Sequence, residues 1–439
     1  MSDASLFDGV LGRGRAAQEV SGAAWLRALL DVESALAQAW AEAGLVPEAA
    51  AVAIERACRE PYDVASLGAQ AAEAGNPVVP LVRLLEQRAG PDAADYVHLG
   101  ATSQDVLDSA LVLLARRALV HVLDDLRGAA DAAAGLAADH RDTAMVGRTL
   151  LQQALPTTFG LKAAGWALAL DHAGERLEQC RRGLPVQLGG AVGTLAVHGE
   201  QAFVVLAALA SLLDSREPVL PWHTARGPLA DLAGALGAGA GAVGKVALDV
   251  CLLAQGEVGE VHEGTDGRGS SSAMPHKRNP VAAVSARAAA LTTPGLVATM
   301  LTAMVQEHER AAGGWHAEWE TLSALLRATG SAAAWLRDCL EALVIHPERM
   351  AANLADAGGA LAAEAVACAL TPGRGRAAAH DLVRSAVQRA DDRGTSLREE
   401  LAADPACSLD HGQLLALTTP QTGQASALVD RALASRSGR

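Results

Sequence analysis

Between Gly264 and Pro280 the chain sets three glycines, three consecutive serines and a basic cluster bounded by prolines. Glycine and serine let a loop bring backbone N–H groups close to a ligand. Lys277 supplies a compact positive charge for a carboxylate, and Asn279 a directed amide donor. A solvated surface loop is the competing reading of the glycines and serines alone. The ordered string from Ser271 to Pro280 speaks against it, because solvation gives no reason for Met274 to stand between serine and proline.

Such a loop needs rigid elements on either side, and the surrounding chain has helical period. From Asp31 to Ala43, Val32, Ala35, Leu36 and Ala39 recur at helical spacing, with Glu33, Gln38 and Glu42 between them. Pro47 opens a second helix. Gly75-Asn76-Pro77 and Gly90-Pro91-Asp92 break the chain, and Thr102 or Ser103 reads as the N-cap of a long apolar helix. Helix patterns then run from Val106 to about His140, from about Thr157 to Arg182, from Leu229 to His262 and from Val281 to about Arg310. The segments 147–158, 189–194 and 264–280 punctuate them. Ala-rich helices that are apolar on more than one face are covered on several sides. The pattern predicts an all-α protein: an N-terminal helical domain over 1–104, a central long-helix bundle carrying the loop over 105–346, and a C-terminal helical domain over 347–439. The bundle is expected to continue across subunits.

Composition narrows the function. A chain of 439 residues accommodates two or three domains, and 3% aromatics with abundant Ala and Leu disfavours a β-sandwich or barrel. The formal net charge of -14 argues against nucleic acid as a partner, so positive potential must be concentrated at the site itself. The six cysteines are scattered without CxxC spacing, which predicts neither a zinc site nor a disulfide framework and fits reduced thiols in a cytoplasmic protein. Residues 1–12 lack the pattern of a signal peptide. Charged residues interrupt the apolar stretches before about 18 residues, so no membrane span is expected.

The string Ser271-Ser272-Ala273-Met274-Pro275-His276-Lys277-Arg278-Asn279-Pro280 closely resembles the hallmark loop of the fumarase/aspartase superfamily. Two further segments agree in chain order. His98-Leu99-Gly100-Ala101-Thr102-Ser103-Gln104-Asp105 resembles the first shared region, and Gly147-Arg148-Thr149-Leu150-Leu151-Gln152-Gln153 the start of the second. Within the superfamily the chain most resembles the bacterial 3-carboxy-cis,cis-muconate cycloisomerases, through Gly75–Val82, Thr158–Trp166, Gly189–Leu195, Pro221–Thr224, Glu307–Arg310, Gly313–Trp319 and Arg349–Leu354. That resemblance implies cofactor-free lactonisation of a small tricarboxylate in aromatic catabolism. It also implies a homotetramer whose active sites each draw on three subunits, with no metal, nucleic-acid or membrane partner.

The resemblance assigns roles residue by residue. Ser271 matches the general base or acid, a role a serine fills only if backbone N–H groups and Lys277 stabilise its alkoxide. Lys277 and Asn279 take the charge of the aci-carboxylate intermediate. Thr102, Ser103, Thr149 and Gln152 are neutral donors for the other carboxylates, and Met274 lies within the loop. His98 is either a polar group of the site or a histidine satisfied by backbone. Arg148 meets a carboxylate or pairs with a nearby acid. Arg310 is a substrate contact or a structural ion pair, and Trp315 and Trp319, at i and i+4, read as core.

Two departures stand out. Many superfamily lyases carry His where this chain has Leu150, and Arg226-Gly227-Pro228 replaces a more charged continuation in the cycloisomerases. Leucine cannot protonate a leaving group, but an intramolecular lactonisation releases none. A nitrosuccinate-type lyase on the same scaffold is the alternative. Adenylosuccinate lyase ranks below it, since Trp319 cannot bind a nucleotide phosphate, and a non-enzymatic helical scaffold ranks last.

Overall fold

The computed structural model describes residues 6–264, 269, 274, 277–356 and 359–438, with the side chains of 359 and 360 left out. The fold is all-α, with two short two-stranded antiparallel sheets among the described residues. Two compact units emerge. One comprises Met1–Gly128, Leu170–Leu248 and Ala282–Asp338, the other Ala129–Ala169, Asp249–Val281 and Cys339–Arg439.

In the first unit, helix α1 (Gly22–Glu42) starts at Ser21, whose Oγ accepts the Ala24 N–H. The stripe Leu29, Val32, Leu36 and Trp40 is buried, the face that helical spacing predicts. Helix α2 (Val78–Ala89) buries Val78, Leu81 and Leu85 into the same core. Helix α3 (Ser103–Asp139) begins where the polar pair Thr102-Ser103 gives way to an apolar run, and Thr102 stands at its N-cap.

Past α3 the chain forms a hairpin of β1 (Ala144–Thr149) and β2 (Gln152–Thr158), then helix α4 (Phe159–Gly183). Helix α5 (Gly227–Leu253) ends earlier than its apolar pattern suggests. Gly259, at φ +61°, turns the chain into β3 (Val261–Glu263), which pairs with β4 (Leu343–Ile345). Between these strands lie α6 (Val281–Ala303) and α7 (Gly314–Glu341). Helix α8 (Pro347–Asp356) follows β4. Helices α9 (Ala363–Arg374) and α10 (Arg376–Arg393) share a small core built on Val366, Leu370 and Val383.

The membrane expectation rests on charges interrupting the apolar stretches, and two helices pass a test of length and composition despite them. By length and composition α5 and α6 are both apolar enough to cross a bilayer. Asp231, Lys245 and Asp249 interrupt α5, whereas α6 carries Arg287 alone. The core helix of a soluble protein passes the same test. Both helices leave large apolar side chains open, among them Leu248, Val284, Leu291 and Leu301.

Candidate active site

The first motif segment, 98–105, rests on a dense polar lattice inside the first unit. Asp105 is buried and accepts four donors: the backbone N–H of Thr102 at 3.0 Å, of Gly189 and Gly190 at 2.9 Å each, and His223 Nε2 at 2.7 Å. One carboxylate thus ties the start of α3 to the glycine segment 189–193. Its place in the first helical turn suits an anion. One turn on, Asp108 takes Arg226 Nη1 and Nη2 at 2.7 and 2.9 Å, Trp315 Nε1 at 3.0 Å, and the amides of Gln104 and Gln187. Arg226 also donates to Glu318, which accepts from Gln306 as well. Arg226 side-chain exposure is 1%, and Asp108 and Glu318 match it at 0% and 1%. Burial pushes the Glu318 carboxyl up, against the pull of Arg226. Burial opposes the charge on Arg226, but Asp108 and Glu318 override it and raise its pKa.

This lattice presents the polar groups of the segment. The hydroxyls of Thr102 and Ser103 are half-buried and make no hydrogen bond among the described residues. His98 holds φ +57°, a conformation rare outside glycine, and its Nδ1 lies 2.6 Å from Glu33 Oε1 on α1. Two turns along α1, Trp40 Nε1 donates to the Leu99 carbonyl at 2.8 Å. Gly100 has φ +70°, and a Cβ there would stand 2.7 Å from Trp40 and 2.9 Å from His198. Only glycine fits. Neither of the two roles open to His98 anticipated its partner, a buried carboxylate. Arg310 forms no ion pair among the described residues. Its guanidinium donates to the carbonyls of Gly190 and Ala191 at 2.9 and 3.0 Å and to Gln104 Oε1 at 3.4 Å, bracing the glycine segment. Trp315 is core, as its spacing predicts, and Trp319 stacks edge-on against it at 4.8 Å.

The second motif segment is the β1–β2 hairpin of the second unit. Its register shifts between Val146 and Arg148, where a Cβ on Gly147 would meet the Leu155 carbonyl at 2.5 Å. The two-residue turn is Leu150-Leu151, at φ +51° and +65°. That is the left-handed geometry of a type I′ hairpin, ordinarily filled by Asn-Gly. Leu150 is 97% exposed and Leu151 77%, and Thr149 and Gln152 beside them are exposed as well. Of the two roles open to Arg148, the structure shows the ion pair. Its Nη1 and Nη2 reach the Glu260 carboxylate at 2.9 and 2.7 Å, and Asn353 Nδ2 on α8 donates to the same group at 2.8 Å. Glu260 is fully buried.

Of the third segment, Ser271 lies outside the described residues. Asn279 meets Gly269 twice: its backbone N–H and its Nδ2 both donate to the Gly269 carbonyl, at 3.1 and 3.0 Å. Gly269 has φ +79°, and a Cβ there would sit 2.3 Å from the Asn279 carbonyl. Asn279 therefore ties back to Gly269 through its side-chain amide, whose second N–H meets no partner among the described residues. Lys277 is exposed, its backbone N–H bonded to the Met274 carbonyl at 3.0 Å, and Met274 is 44% exposed. Ahead of this loop, His262 Nδ1 lies 2.7 Å from His346 Nε2 across β3 and β4, the rings stacked.

A family profile described as Lyase matches residues 13–295, and one described as Adenylosuccinate lyase C-terminus matches residues 359–432. The chain belongs to the fumarase/aspartase superfamily. Among curated members of this superfamily it is 46% identical over 418 residues to the 3-carboxy-cis,cis-muconate cycloisomerase of Bradyrhizobium diazoefficiens, covering 93% of each chain. It is also 46% identical over 431 residues to the nitrosuccinate lyase of Streptomyces davaonensis, covering 94% of this chain and 91% of that one. The crystal structure of the 3-carboxy-cis,cis-muconate lactonizing enzyme from Pseudomonas putida matches with a TM-score of 0.91 at 42% identity, covering 99% of each chain. The superfamily motifs are thus the segments just described.

Sequence reasoning missed Glu33, Asp108, Glu260 and Glu318. For Asp108 a signal existed: Gln104, Asp105, Asp108 and Ser109 form one polar stripe at the head of an otherwise apolar helix. Glu33 carried none, since an acid in an amphipathic helix reads as part of its solvated face.

Proposed function

We propose that the protein is a 3-carboxy-cis,cis-muconate cycloisomerase, an intramolecular lyase that forms 4-carboxymuconolactone without a cofactor. One substrate carboxylate adds through oxygen across the substrate's own double bond. The C–O bond forms, and the π pair moves to the carbon next to a second carboxylate, giving an aci-carboxylate dianion. A proton delivered to that carbon completes the lactone. Lys277 and Asn279 stabilise the dianion, and Ser271 moves the proton. Thr102, Ser103, Thr149 and Gln152 hold the remaining carboxylates, and Met274 lines the loop side. Arg148 and Arg310 act as positioning residues. Because nucleophile and electrophile are one molecule, orientation supplies much of the rate.

The observation that carries this reading is the hairpin tip. Leu150 and Leu151 hold its turn, so no acid stands there to assist a leaving group. An addition that expels nothing needs none. Loss of nitrite, a good leaving group, needs none either. The nitrosuccinate lyase relative therefore motivates the second reading.

Three motif segments brought together by three subunits of a homotetramer make each site. The open apolar residues of α5 and α6 support cover by further copies. We also propose domain limits at 1–104, 105–346 and 347–439, and a cytoplasmic location. The test is direct: incubation with 3-carboxy-cis,cis-muconate and loss of the diene absorbance. Turnover is expected, and Ser271→Ala should abolish it with the fold intact. No turnover together with nitrite release from nitrosuccinate overturns the reading, and light scattering that shows a monomer overturns the assembly.

A further inference from the structure

Glu33 lies two turns from Trp40 on α1, one of the largest buried aromatics of the first unit, and is itself 1% exposed. Burying a carboxylate there requires compensation, and an apolar side chain would fill the same space without desolvating a charge. Its compensation is narrow. Oε1 faces His98 Nδ1 at 2.6 Å, and Oε2 is buried with no partner among the described residues. Among the described residues the group therefore caps no helix and bridges no other elements by hydrogen bonds. Its one hydrogen-bond partner among the described residues is His98, and its charge also helps push up the Cys58 thiol.

The other side of the pair is equally constrained. His98 stands in the left-handed region, between α1 and the N-cap of α3, and the Trp40 bond to the Leu99 carbonyl with the fit of Gly100 holds it there. Its Nε2 makes no hydrogen bond among the described residues, and the side chain keeps 18% exposure. The ring thus has one edge anchored in the protein and one edge open, four residues before Thr102. The charged groups that act most strongly on it are acidic: Glu33 on α1, Asp105 on α3 and Glu86 on α2. His198, packed against Gly100, is kept toward its neutral form by burial and adds no opposing charge.

We propose that Glu33 is a positioning residue that takes the Nδ1–H of His98, so that His98 presents Nε2–H of an imidazolium to a substrate carboxylate. The pair deepens the cycloisomerase reading above and rests on it for the identity of the carboxylate. Burial alone would lower the pKa of His98, but the Glu33 carboxylate overrides it and the balance is upward, in keeping with a charged ring.

Glu33→Gln keeps shape and removes charge. It is expected to lower kcat/KM for 3-carboxy-cis,cis-muconate by about tenfold at pH 8, mainly through KM, and to move the alkaline limb of its pH profile down by about one unit. Near pH 5.5 the two enzymes should converge. Glu33→Asp should restore part of the limb, and Glu33→Gln should add nothing further to His98→Asn. In parallel, ring 15N spectra should show His98 titrating lower in Glu33→Gln than in the unmodified protein. A loss that is uniform with pH, an unmoved limb, or identical ring titrations overturn the proposal. If the unmodified protein ignores the muconate, the functional reading fails on its own, and the ring titration still decides the pair.

Discussion

The two superfamily segments that begin at His98 and at Gly147 are built on opposite plans. In the first, Asp105 gathers four donors, Asp108 five, and Arg226 joins Asp108 to Glu318 without contact with solvent. Thr102 and Ser103 stand on that lattice with their hydroxyls unoccupied. In the second, one bidentate pair, Arg148 with Glu260, anchors the base of a hairpin whose tip is open leucine in a conformation leucine avoids. The first segment is preorganised by its own chain, while the second leaves its tip residues exposed. Preorganised donors are what stabilise charge developing in a reaction.

That contrast can be broken at several points. The largest effect should come from Arg226→Ala, which leaves two buried carboxylates without their counter-charge. It should cost about 3–5 kcal/mol in urea unfolding followed by tryptophan fluorescence. A loss below about 1 kcal/mol would mean that the lattice does not hold the first segment. Gly100→Ala should cost about 1–3 kcal/mol, because its Cβ overlaps Trp40 and His198 at a positive φ. Turnover should fall alongside, since Thr102 shifts with it; full activity with reduced stability would separate the turn from the site.

The double substitution Leu150→Asn with Leu151→Gly relieves left-handed strain of about 1–2 kcal/mol per residue. Sedimentation should nonetheless show weaker self-association, because the exposed leucines are lost. Unchanged association with a higher melting temperature would make the tip mere surface. The smallest effect separates two histidines of opposite sign. The pKa of His98 is raised, so its contribution is complete below the unfolded value of about 6.5 and fades as pH rises through the folded value. His262 is lowered by burial, with His346 and Arg278 adding to it, so its contribution is present above about 6.5 and is lost as pH falls. Hydrogen exchange between pH 5 and pH 8 should therefore slow at 98–105 on the acid side and at 261–263 on the alkaline side. Parallel trends at both places would refute the assignment.

How much of this was legible can be judged from particular residues. The buried stripe of α1 and the core role of Trp315 follow from helical period, which acts over a few residues. The end of α5 was not legible, because an apolar pattern does not distinguish a last helical turn from a short strand such as β3. Arg310 could be flagged as a cation near the site, but nothing local says that it would seek the carbonyls of Gly190 and Ala191, more than a hundred residues away in the chain.

By itself, then, the sequence determined the helical class, the ordered motif strings and the absence of an acid at Leu150, since residue type and short spacing decide these. Tertiary structure decided which charges meet. Glu33 with His98, Asp108 with Arg226 and Glu318, and Arg148 with Glu260 are pairs drawn from distant parts of the chain. Each brings at least one charge out of water, and a buried charge is tolerated only where the fold brings its partner to within hydrogen-bonding distance.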